Sequence, residues 1–147
     1  MIWFYLLVAV VAGALMPLQA GVNSQLARFV GHPVVAALVS FAVGTAALLA
    51  YAVALRGPLP EWAALRAAPW WLWTGGLFGA FFVAAAAAYA PRLGAATFVS
   101  VTIAGQMIVS LALDHYGLVG FAERQATPMR LVGAALLVAG VVLIRRF

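Results

Sequence analysis

Cysteine and lysine are both absent from these 147 residues, and only three acidic residues and two histidines are present. Without cysteine there can be no disulfide, no thiolate nucleophile and no thiolate metal site. The few carboxylates and imidazoles form no metal-ligand cluster. No glycine-rich phosphate loop and no nucleophile triad occurs, so an ATP-driven pump or an intramembrane hydrolase has no support. The chain does not read as an enzyme, and no metal or cofactor is expected. Charge of either sign is scarce, at 7% of residues against 67% hydrophobic. A soluble domain of this size cannot bury that much apolar surface, so most of the chain must be solvated by lipid. The formal net charge is +5, but the arginines are scattered, whereas nucleic-acid binding needs a clustered basic face. Their partners are expected to be membrane lipid headgroups and not nucleic acid.

What is present is a series of long apolar runs. Runs of about 20 residues set the expected spans. They fall at residues 2–28, 33–55, 69–90, 95–113 and 129–144, forming one all-α transmembrane domain over residues 1–147. The apolar start has no basic region before it, so it reads as the first span and not as a cleaved signal. Pro33, Pro69 and Pro128 each open a span, where a missing N–H costs little. Pro17 lies inside the first span and is expected to break or kink it, freeing backbone groups at membrane depth. Pro91-Arg92-Leu93-Gly94 reads as a tight turn. Trp3, Trp62, Trp70, Trp71 and Trp73 cluster at predicted interfaces, as an aromatic belt does. Small residues at four-residue spacing, such as Gly75 and Gly79, allow helix backbones to approach closely.

The eight basic residues, all arginine, divide evenly. With the N-terminus on one side, that side carries Arg56, Arg66, Arg124 and Arg130. The other carries Arg28, Arg92, Arg145 and Arg146. The positive-inside rule counts basic residues in short loops, so neither orientation is favoured. Two copies inserted in opposite directions would make ten helices related by a two-fold axis in the membrane plane. Inverted-repeat transporters share that plan, with a site near the midplane.

Polar groups at membrane depth are costly, so their positions are informative. Gln19 and Asn23 share a face of the first helix, just after Pro17. Thr102, Gln106, Ser110 and Asp114 recur every fourth residue, a stripe that slants around the helix by about 40° per step. Ser40 adds a hydroxyl on the second span. Serine and threonine can satisfy themselves on their own helix, but primary amides need several partners or water. Gln19, Asn23 and Gln106 are therefore the leading candidates for a substrate pathway, with Ser40, Thr102 and Ser110 secondary. No charged residue lies in the middle of a span, which excludes a deep carboxylate exchanging a cation for a proton. Asp114, at a span end beside His115, reads first as a solvated terminus and second as a possible coupling group. His32, in the first connection, is expected to be solvated.

The stretch Gly13-Ala14-Leu15-Met16-Pro17-Leu18-Gln19-Ala20-Gly21-Val22-Asn23, continuing to Gly31-His32-Pro33 and Ser40-Phe41-Ala42-Val43-Gly44-Thr45, resembles the YdcZ-like family of the drug/metabolite transporter superfamily. Trp71-Leu72-Trp73-Thr74-Gly75-Gly76, Ala104-Gly105-Gln106 and Leu113-Asp114-His115-Tyr116-Gly117-Leu118-Val119-Gly120 extend the likeness over nearly the whole chain. The resemblance implies a bacterial inner-membrane protein with five helices per unit. It also implies assembly as dual-topology homodimers, opposed pairs or fused ten-helix chains. The expected function is a small secondary transporter or exporter of a small polar or amphipathic molecule, acting as an antiparallel homodimer. The alternatives are a passive channel and an accessory membrane subunit of another transporter.

Overall fold

The apolar runs are helical in the computed structural model, which describes residues 1–56 and 61–147. Five segments are long and apolar enough to cross a membrane. They are α1 (Ile2–Val30), α2 (Pro33–Ala54), a 3-10 turn (Trp70–Thr74) running into α4 (Gly75–Leu93), α5 (Ala95–His115) and α6 (Pro128–Arg146). A short helix, α3 (Trp62–Ala67), precedes the third span, and a 3-10 turn (Leu118–Gly120) follows the fourth. No strand occurs among the described residues. Residues 57–60 of the expected connection after the second span lie outside the described residues.

The five expected spans fall on these five segments, with two differences at prolines. The chain does not leave the helix at Pro17: α1 continues through it to Val30. A proline withholds one N–H from the helical ladder, here from the carbonyl of Gly13. Nor does Pro91 begin a turn. It sits inside the last turn of α4, and Gly94 alone separates α4 from α5, at φ 85° and ψ 146°. That region is open to glycine and strained for any residue with a Cβ.

Contacts within the chain gather into two units, Met1–Arg92 and Leu93–Phe147. In the first, α1 packs on α2. Gly31, at φ 80°, ends α1, and His32 caps α2 by accepting the Val34 N–H on Nδ1 at 3.2 Å. Pro33 follows at the first helical position, where its fixed φ suits the helix. On α4, a Cβ added at Gly79 would stand 3.3 Å from Cζ of Phe41 on α2. Gly79 is thus a position of close helix approach, while Gly75 faces open space. The buried residues of this unit are mostly alanines: Ala20 on α1, Ala36 and Ala37 on α2, and Ala86, Ala87 and Ala90 on α4, with Val83 and Asn23 among them.

In the second unit α5 packs on α6, with Phe98 and Leu111 buried. Thr127 caps α6 by accepting the Arg130 N–H at 3.5 Å. The connection between the two helices is closed by side chains. Arg130 pairs with the Asp114 carboxylate and donates from Nη1 to the carbonyls of Arg124 and Gln125 at 2.9 and 3.3 Å. The Arg124 N–H bonds the Asp114 carbonyl at 2.7 Å, and the Ala126 N–H bonds His115 Nδ1 at 3.2 Å.

Little of the apolar surface is covered within the chain. The buried share of the most apolar stretch is nil in α1 and α6 and reaches only 17% in the third span. Surface of that kind and extent requires lipid or further protein around it.

Candidate functional site

Helix length sets how far each polar residue lies from the middle of its own helix. At about 1.5 Å per residue α1 is about 43 Å long, against a hydrocarbon core of ~30 Å. Its midpoint is Met16, next to Pro17. Gln19 lies about 5 Å past that midpoint and Asn23 about 10 Å past it. The midpoint of α5 is Gly105, so Gln106 sits at the centre of its helix. Thr102 and Ser110 fall about 5 and 8 Å to either side of it. Ser40 lies about 5 Å before the centre of α2.

The two amides of α1 have different surroundings. Asn23 is 3% exposed, and its Nδ2 has no hydrogen-bond partner. Gln19 is exposed. The buried face of the helix passes through Ala20 and Asn23, three residues apart, and leaves Gln19 on its flank. An amide N–H₂ buried without a partner costs on the order of 1–3 kcal/mol. Such a group in a native protein calls for a partner, whether an ordered water, another helix or a ligand.

On α5, Gln106 and Ser110 are exposed and Thr102 is half-buried. The Thr102 hydroxyl donates to the Val99 carbonyl at 2.9 Å, which leaves its oxygen able only to accept from another group. Ser100 does the same toward Thr97 at 3.0 Å. Ser100 also lines an apolar recess of about 240 Å³ between α5 and α6, with Ile103, Leu137, Gly140 and Val141 among its walls. Ser40 on α2 is half-buried. Thus Asn23 is enclosed in the first unit, while Gln19 and Gln106 present unburied amides from near the centres of their own helices.

Asp114 stands at the end of α5, as expected, but its charge is not left to solvent alone. Its carboxylate pairs with Arg130, and its side chain is 25% exposed. The sequence showed both residues, but not that the intervening loop folds back and brings them together. His32 is likewise more than a solvated loop residue, since it caps α2. The signal was present in His32-Pro33, a polar side chain before a proline that opens a helix.

A family model described as "Putative inner membrane exporter, YdcZ" matches residues 4–143. Over 82 residues the chain is 37% identical to the inner membrane protein YdcZ of Escherichia coli (strain K12). That alignment covers 52% of this chain and 51% of the relative, so the chain spans about half the length of the curated relative it matches. No solved structure matches the chain.

Proposed function

The chain belongs to the YdcZ family, and from that premise we propose that it is a small secondary exporter of the bacterial inner membrane. Two copies of the five-span domain, inserted in opposite directions, form the working unit and enclose a cavity near the membrane midplane. The substrate is a small polar or amphipathic molecule, neutral, zwitterionic or weakly charged, because no ionised side chain waits for it at depth. The protein moves this molecule without chemically altering it and uses no cofactor.

One observation carries the reading. Asn23 is buried with a free amide donor, within a helix long and apolar enough to span a membrane. Gln19 and Gln106 add amides that lipid cannot satisfy. A water-accessible cavity between two copies supplies partners for Gln19 and Gln106 and reaches the enclosed Asn23 as α1 and α2 part during transport, and a substrate replaces that water with its own acceptors and donors. Gln19, Asn23 and Gln106 orient the substrate by hydrogen bonds. Ser40, Thr102 and Ser110 contribute hydroxyls that are partly spent on their own helices. Asp114, already paired with Arg130, acts as a coupling group only if that pair opens during transport.

The test is flux from proteoliposomes loaded with a panel of small polar compounds, using purified chain. Saturable flux that accelerates under counter-transport is expected, and Gln19→Ala, Asn23→Ala and Gln106→Ala should each reduce it by about ten-fold or more per lost hydrogen bond to a buried polar group. Three variants that all transport like the parent would remove this site. Unsaturated single-channel current would replace the exporter with a pore.

A further inference from the structure

The start of α2 and the C-terminal half of α4 border a groove of about 370 Å³ within the first unit. Ala85 and Ala88 lie along it, Phe81 and Val34 contribute apolar surface, and His32 and Tyr89 bring the polar groups. With Nδ1 of His32 accepting the Val34 N–H, the imidazole carries its proton on Nε2 and offers a donor there. Arg92 follows Ala88 by four residues and Tyr89 by three on the same helix. It therefore lies on the same helix face, one turn closer to the membrane surface. Arg28 stands in the last turn of α1, at the end of the α1–α2 hairpin that holds His32.

No carboxylate belongs to this end of the hairpin. The three acidic residues of the chain are Glu61, Asp114 and Glu123. Glu61 immediately precedes α3, Asp114 lies in the last turn of α5, and Glu123 belongs to the connection before α6. By the alternation of the spans, all three belong to the opposite side of the membrane from Arg28, His32 and Arg92. The groove is thus an alanine-lined slot at membrane depth, continued along α4 by a guanidinium and flanked by hydroxyl and imidazole donors. An apolar chain attached to an anionic phosphate has that same division.

We infer that this groove is a binding site for an anionic phospholipid, with one acyl chain along Ala85 and Ala88 and the headgroup phosphate held by Arg92, His32 Nε2–H and the Tyr89 hydroxyl. The site belongs to each copy of the chain and does not depend on what the protein transports.

Native mass spectrometry of the purified full chain, titrated with phosphatidylglycerol or phosphatidylcholine, tests the assignment. Phosphatidylglycerol should bind about five-fold more tightly, the effect of one arginine beside a net anionic headgroup, because phosphatidylcholine carries the same phosphate next to a quaternary ammonium that opposes Arg92. Arg92→Gln should abolish that preference, while Arg56→Gln, in the connection on the opposite side, should leave it intact. Ala85→Leu fills the slot and should weaken both lipids, with circular dichroism confirming that the helices persist. Soluble glycerol 3-phosphate should not displace the lipid. The inference is overturned if the two lipids bind equally, if Arg56→Gln acts as strongly as Arg92→Gln, or if glycerol 3-phosphate competes. It is also overturned if the chain dimerises with no lipid bound and Arg92→Gln changes nothing, because a second copy would then fill the groove.

Discussion

Asn23 sets stability against function within a single side chain. Its Nδ2 is buried without a partner, a state that costs on the order of 1–3 kcal/mol. Leucine has the same number of side-chain heavy atoms and the same branching, and it needs no hydrogen bond. Asn23→Leu is therefore expected to raise thermal stability in detergent, by about 1 kcal/mol after allowing for its larger methyl groups. The same change should abolish transport and any stabilisation by substrate. Unfolding midpoints measured with and without a transported compound separate the two effects. A less stable variant that still transports would mean that the amide serves packing and not the substrate. That Asn23 is a polar group inside a long apolar helix was legible in the sequence, since an asparagine in such a run is conspicuous. Its separation from Gln19 was not. A four-residue spacing puts both on roughly one face, but the buried strip runs through Ala20 and Asn23. Which edge of a polar face turns inward depends on the neighbouring helix, and periodicity carries no information about that.

Elements were the most readable level of this chain, because lipid permits few alternatives. A bilayer core offers the backbone no hydrogen bonds, so a 20-residue apolar run must be helical. His32-Pro33 and Thr127-Pro128 mark two of the helix starts. Pro91 misled at the end of α4, because a proline can occupy a last helical turn at the loss of one bond while Gly94 interrupts the helix. The connection between α5 and α6 was not legible. The Asp114–Arg130 pair spans 16 residues, and it forms only because the loop returns to the end of α5. Arg130 is half-exposed, so the pair itself adds about 1 kcal/mol at most. Its larger effect is local order. Arg130→Gln should speed hydrogen exchange at the Arg124 and Ala126 amides, which bond the end of α5. Exchange inside α2 should not change. About five-fold faster exchange corresponds to the loss of ~1 kcal/mol from local opening. Unchanged exchange at both amides would show that the backbone bonds hold this loop without the guanidinium.

At the scale of the whole molecule, the exposed apolar helices and the divided arginines raise the same question, namely what surrounds a single chain. Each of the eight arginines lies at a helix end, in α3 or in a connection, and none lies in the middle of a spanning helix. Arg28 belongs to the last turn of α1, and Arg130 sits three residues into α6, bonded back to the preceding loop. The division into four and four thus rests on residues near the membrane surfaces. If that balance leaves insertion undirected, small changes in charge should direct it. Arg145→Gln with Arg146→Gln leaves four basic residues on the N-terminal side against two, and should place that side in the cytoplasm. Arg56→Gln with Arg66→Gln reverses the ratio and should place it outside. Each double variant alone would then supply only one orientation and fail to transport. Co-expressed, the two should restore flux, because together they regenerate the opposed pair. Single cysteines introduced near the C-terminus into this cysteine-free chain report orientation by labelling from either side. The parent chain should label from both sides and each variant from one. Either double variant transporting alone, with uniform labelling, would make a single orientation sufficient and overturn the antiparallel assembly. Loss of flux in both variants without recovery on co-expression would also refute it, provided that labelling shows the two orientations present together.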